Sequence, residues 1–140
     1  MKPNYLILIL VLLFGTALYT HAQNEKVDAE EASVDKQKIE VYYFHNTRRC
    51  ATCEAVESVT INTLEENYPE QLKSGILSFQ SLNIEDDKNE PLARKLNVSG
   101  QTLLFVKDGK KKDLTNDAFM YARTKPEKFQ EKIIKTVDNL

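Results

Sequence analysis

The apolar positions of this chain fall into blocks whose period changes from one segment to the next. Residues 39–44, Ile39-Glu40-Val41-Tyr42-Tyr43-Phe44, run β-branched and aromatic side chains together, which predicts a strand. A short polar loop, 46–49, follows it. Residues 53–67 then read as a helix: Val56, Val59, Thr63 and Leu64 share one face, and Glu54, Glu57, Glu65 and Glu66 lie mostly elsewhere. Ile61 sits off that stripe. Pro69 ends the helix, because it disfavours helical backbone at Tyr68.

Gly75 opens the next run, 76–84, in which apolar residues occupy both phases, as in a strand covered on both faces. Residues 86–89 are polar, 91–96 form a short helix with Pro91 near its first turn, and 97–100 form a loop. Residues 102–106, Thr-Leu-Leu-Phe-Val, are continuously apolar and predict a central strand. Asp108-Gly109 is a strong hairpin signal. The return strand, 111–114, is rich in lysine, which suits a protected sheet edge. Thr115-Asn116-Asp117 offers a cap for a turn at 118–123. Lys125-Pro126-Glu127 opens a last helix to Asp138 with Phe129, Ile133, Ile134 and Val137 as its buried stripe. The order is β-α-β-α-β-β-α, an α/β mixed sheet with helices on both faces. No internal repeat interrupts it.

The first residues follow a different logic. Lys2 precedes an apolar run, 6–18, broken only by Gly15 and Thr16, and Thr20-His21-Ala22 offers a small-x-small cleavage site before Gln23. That is the order of a secretory signal, with cleavage after Ala22. The run is short of the roughly 20 apolar residues of a spanning helix, so an uncleaved anchor is the competing reading and the chain's one route to a membrane. No cysteine lies near the site for lipid attachment. Residues 23–38 mix acidic and basic side chains with few apolar ones and read as a flexible tether. A short helix on Val27, Ala29, Ala32 and Val34 is the alternative. The folded domain is then 39–140.

Cys50 and Cys53 are the only cysteines. They stand three apart, where the strand and its loop give way to helix. Thiols at that spacing on a first turn lie close enough for a small disulfide ring. The exposed amides and dipole of a helix start favour a thiolate on the first of them. Export makes oxidation expected, so a purely structural disulfide competes with a redox one. A ring this small removes little unfolded-state entropy and makes a poor staple. That argues for function.

Charge excludes one class of partner. Losing Lys2 with the leader leaves 18 basic against 21 acidic residues, and no basic patch is interleaved with aromatics, so nucleic acid is not an expected ligand. The four glycines, at 15, 75, 100 and 109, form no GxGxxG loop for a flavin or nicotinamide, and no cofactor of the chain's own is expected. His45, the one histidine left after cleavage, lies five residues before Cys50. It suits a proton relay or a metal ligand, or equally a plain hydrogen-bonded strand-end histidine. Arg49 and Arg48 suit thiolate stabilisation, with a solvated loop as the alternative. Two thiolates and one histidine fall short of the four ligands of a closed zinc site, so metal would need a dimer or an outside ligand.

With strand, loop, Cys50-Ala51-Thr52-Cys53 and helix in that order, the chain resembles the thioredoxin superfamily across roughly residues 39–140. Residues 98–110, from Val98-Ser99-Gly100-Gln101 to Asp108-Gly109-Lys110, resemble its later strand and turn. The resemblance implies a thioredoxin-like fold and thiol–disulfide exchange with a protein partner, Cys50 attacking and Cys53 resolving. More narrowly, Tyr42-Tyr43-Phe44-His45, the segment 47–53, Gly100-Gln101-Thr102-Leu103 and 114–119 resemble a small bacterial group labelled nitrophenyl-compound nitroreductase subunit of the ArsF type. That likeness implies a role beside a reductase subunit that holds the cofactor.

Several positions depart from the thioredoxin pattern. Arg49 replaces the tryptophan before the first cysteine, and Ala51-Thr52 replaces the intervening Gly-Pro. The loop before Cys50 is longer. Gln101 occupies the place of the family's cis-proline, facing the sulfurs, where it is set to hydrogen-bond a substrate or simply to line a polar loop. A cis bond before a non-proline costs about 2.5–4 kcal/mol, so Gly100–Gln101 is expected to be trans. The family's cis-proline is thought to discourage metal binding, and its absence keeps the metal reading alive. The charged group that the family buries behind its second cysteine has only Tyr42 and Tyr43 as candidates here. Three functions remain: an exported oxidoreductase, a binding subunit with a structural or regulatory disulfide, and a metal-binding protein.

Overall fold

A computed structural model describes residues 38–140. The expectations for a signal segment at 1–22 and a tether at 23–38 fall, save for Lys38, outside the described residues. The sheet has four strands, β1 (Ile39–His45), β2 (Leu77–Asn83), β3 (Thr102–Lys107) and β4 (Lys110–Asp113), in the order β2-β1-β3-β4. β1 pairs parallel with β2 and antiparallel with β3, and β3 pairs antiparallel with β4. The helices are α1 (Ala51–Asn67), α2 (Pro69–Ser74), α3 (Glu90–Leu96), α4 (Thr115–Tyr121) and α5 (Pro126–Asp138), with a 3₁₀ turn (Asp87–Asn89) before α3.

Alternation along β1 builds two cores. Ile39, Val41 and Tyr43 point to one face, with Leu103 and Phe105 of β3, Val56 and Leu64 of α1, Ala118 of α4, and Phe129, Ile133 and Val137 of α5. Tyr42 and Phe44 point to the other, with Leu104 and Val106 of β3 and Ala93 and Leu96 of α3. Period-two strands buried on both sides read as the continuous apolar runs seen in 39–44 and 102–106. The result is the α/β architecture expected, a mixed sheet with helices on both faces. No helix among the described residues is long and apolar enough to cross a membrane.

Particular elements differ from expectation. β2 is covered on both faces as expected but lies at the sheet edge: Leu77 is buried, and the rest of the strand is half-buried apart from the exposed Gln80. Phe79 reaches one core and Leu82 the other, which accounts for apolar residues in both phases. α1 begins two residues before Cys53 and buries Thr60 as well as Thr63, whose hydroxyls donate to the carbonyls four residues back at 2.6 Å. Polar atoms satisfied within the helix carry no hydrophobic signal. Pro69 stops α1 but starts α2, where its missing N–H costs nothing, and Gly75 ends α2 at φ 79°. The carboxylate of Asp113, not the 115–117 cluster, accepts from the Thr115 N–H at 2.7 Å as α4 starts. The hairpin forms as expected, with Asp108 and Gly109 both at positive φ, and all four β4 residues are exposed. Among the described residues no peptide bond is cis, so Gly100–Gln101 is trans.

Candidate functional site: a thiol pair at the head of helix α1

Where β1 ends, its last residues turn into a loop that is held from β2. The His45 carbonyl accepts from the Ile84 N–H at 2.8 Å, the Thr47 N–H donates to Glu85 Oε2 at 2.9 Å, and Asn83 Nδ2 donates to Thr47 Oγ1 at 2.8 Å. This anchoring delivers Cys50 to the N-cap position of α1 in extended backbone, φ −107° and ψ 161°. A sulfur there takes the role that a serine or aspartate oxygen usually plays. It accepts the Cys53 N–H at 3.3 Å.

Both cysteines are free thiols, and their environments are opposite: Cys50 is exposed and Cys53 is buried, 2% accessible. The Cys50 thiol is held below its ordinary pKa, first by hydrogen bonding from the Cys53 side chain and then by backbone N–H groups of Cys53, Thr52 and Cys50. Amide donors aimed at one sulfur favour its ionised form. The buried Cys53 Sγ lies 3.8 Å from Gln101 Oε1. Gln101, from the turn into β3, therefore faces the pair.

Under the pair lies Tyr43, fully buried, whose hydroxyl donates to the Cys53 carbonyl at 3.1 Å. Burial raises its pKa most, followed by the nearby charge of Cys53; Arg49 opposes this, and Glu57 and Cys50 add to it. Of the two tyrosine candidates for the buried group behind Cys53, Tyr43 occupies the position. Tyr42 faces away, into the α3 core.

Arg49 does not turn to the Cys50 sulfur. Its guanidinium pairs with Glu57, donates to the Cys53 carbonyl at 3.4 Å, and lies 5.7 Å from the centre of the Tyr43 ring. Its Nε is buried and without a hydrogen-bond partner. Burial pulls the Glu57 carboxyl upward, but the neighbouring Ser81 hydroxyl, the hydrogen bond from Arg49 and the Arg49 charge hold it below its ordinary value. Glu57 belongs to the site, and only its position one turn after Cys53 on the same helix signalled it. His45 Nδ1 donates to the Asn46 carbonyl at 2.9 Å, and its ring centre lies 5.9 Å from that of Tyr43. It sits beside the network rather than on the sulfurs. Arg48 is exposed, in a solvated loop. Among the described residues no group of three or more His, Cys, Asp or Glu side chains is placed to hold a metal ion.

No family model matches the chain, and no curated protein matches it. Solved structures similar to it include thioredoxin O2 from Arabidopsis thaliana in the oxidised state, 27% identical, covering 61% of this chain and 71% of that one at a TM-score of 0.41. Thioredoxin from Fasciola hepatica is 22% identical, covering 85% and 92% at a TM-score of 0.46. The germline-specific thioredoxin Deadhead from Drosophila melanogaster is 20% identical, covering 84% and 93% at a TM-score of 0.47.

Proposed function

We propose that this chain is an exported thiol–disulfide oxidoreductase of the thioredoxin superfamily. The observation that carries the reading is the asymmetry of the pair: an exposed Cys50 whose pKa is lowered at a helix cap, against a buried Cys53. The Cys50 thiolate attacks one sulfur of a partner disulfide, forming a mixed disulfide and releasing the partner's other sulfur as thiolate, which takes a proton from solvent. Cys53 then gives up its proton and attacks the Cys50 sulfur, closing the Cys50–Cys53 bond and releasing the second partner thiol. The partner gains two electrons and the chain loses two. The reverse sequence oxidises a dithiol.

The ArsF-type likeness supports a narrower role beside a reductase subunit, since the four scattered glycines leave a nucleotide fingerprint to another chain. Export rests on the leader pattern of residues 1–22. N-terminal sequencing from the native host is expected to start at Gln23, and an intact Lys2 in membrane fractions would favour an anchor. The activity test is a trap. Cys53→Ser accumulates a mixed disulfide with glutathione, Cys50→Ser does not, and the wild type exchanges reversibly in glutathione buffers. A wild-type pair that neither oxidises nor reduces across those buffers would leave only a structural or metal-binding role.

A further inference from the structure

The Arg49–Glu57 pair is an unusual feature to find against a reactive thiol. Arg49 is the residue immediately before Cys50, so a guanidinium is tethered within reach of the sulfur. Every hydrogen bond recorded for that guanidinium nevertheless goes elsewhere, to Glu57 and to the Cys53 carbonyl. The arginine side chain is about a quarter exposed and that of Glu57 only slightly more, so solvent screens the pair incompletely. A guanidinium left free beside an emerging thiolate would pair with it. Here a carboxylate one helical turn past Cys53 already occupies it.

We propose that Glu57 is a positioning residue for the thiol pair: it holds the Arg49 guanidinium over Tyr43 and the Cys53 carbonyl, so that Cys50 is activated by the helix cap and not by arginine. The inference rests on the proposed role of Cys50, and it says what sets that thiol's reactivity. Two consequences follow from the geometry. The paired charges cancel at the sulfur, so exchange retains the stronger intrinsic nucleophile of a thiol stabilised by the cap alone. A lower pKa would add thiolate but weaken each thiolate as a nucleophile. The pair also ties the 46–49 loop to α1, because Arg49 belongs to the loop and Glu57 to the helix.

Other groups facing the pair are few. β1 contributes Tyr43 and His45, β2 contributes Ser81, and α1 contributes Cys53. His45, on β1, acts on the Glu57 carboxyl in the same direction as Arg49.

The test is a charge cycle read as the pH midpoint of Cys50, by thiolate absorbance and iodoacetamide rate at low salt. Glu57→Gln leaves the guanidinium without its counter-ion, and the midpoint is expected to fall by about half a pH unit, roughly threefold in the thiolate-to-thiol ratio. Arg49→Gln leaves the carboxylate alone, and the midpoint is expected to rise by a similar amount. The double variant Arg49→Gln/Glu57→Gln strands no charge, and its midpoint returns to within about 0.2 of wild type. A double variant that stays as high as Arg49→Gln would show that Arg49 serves the thiolate directly and overturn the proposal. So would a Glu57→Gln midpoint that rises or does not move. If Glu57→Gln fails to fold, the double variant decides alone, since it leaves no buried unpaired ion. A purely structural pair would lower the melting temperature without moving the midpoint in opposite directions. These readouts need only free thiols, so an enzyme that fails to exchange disulfides would sink the proposed function and leave this test standing.

Discussion

Replacing Tyr43 with phenylalanine removes one oxygen from beneath the thiol pair and little else. The ring is fully buried among Val41, Val56, Leu103 and Phe105, and a phenylalanine ring fills the same space. What disappears is the hydroxyl that donates to the Cys53 carbonyl at 3.1 Å. A typical hydrogen bond contributes about 1 kcal/mol net, and more when its loss leaves a buried partner unsatisfied. The Cys53 carbonyl retains the Arg49 guanidinium at 3.4 Å, so that added penalty does not apply. The expected loss is therefore about 1 kcal/mol, or a drop of about 4–8 °C in melting temperature for a domain of this size. Tyr43→Ala, by contrast, empties a core position and is expected to cost about 3–5 kcal/mol. Urea titration of both variants with the cysteines reduced measures the difference. A Tyr43→Phe loss above about 3 kcal/mol would mean that the hydroxyl carries a burden this geometry does not give it. No loss at all would mean that it does not bond the carbonyl.

Two other expectations follow from the same site. Gln101→Ala removes the acceptor 3.8 Å from the Cys53 sulfur, and resolution of a Cys50–glutathione mixed disulfide is expected to change by at most about tenfold, the worth of one weak hydrogen bond; an unchanged rate would leave the Gln101 side chain without a role. The Glu57 carboxyl lies below its ordinary value in the fold, so its contribution to stability is present above the unfolded pKa and is lost as pH falls through the folded one. The melting-temperature gap between wild type and Glu57→Gln should accordingly be open at pH 7 and close below about pH 4, and a gap that widens in acid would contradict the pairing.

The order of elements, the cover on both faces of the sheet and the place of the thiol pair could be inferred from residue pattern because each rests on local physics. Continuous apolar runs at 39–44 and 102–106 demand cover on both faces, and Asp108-Gly109 supplies the backbone that the hairpin needs. β2 was harder to place. Its apolar residues in both phases look the same at an edge as in the interior, since Phe79 and Leu82 each meet a different core. Thr60 reads as polar although its hydroxyl is satisfied within α1. The site was half visible. Cys50, Cys53 and Gln101 stand together as expected, but Arg49 turns to Glu57, and only the three-dimensional meeting of loop and helix reveals that. A choice between Tyr42 and Tyr43 likewise needs the strand's register, because adjacent residues point to opposite faces.

The claim that Cys50 is the attacking thiol is tested most directly by mass-resolved alkylation of the reduced, folded protein across pH. One modified species, mapped to Cys50, is expected first, with a midpoint below that of a free thiol and with Cys53 reacting only on unfolding. Equal rates at the two cysteines, or faster modification of Cys53, would contradict the assignment.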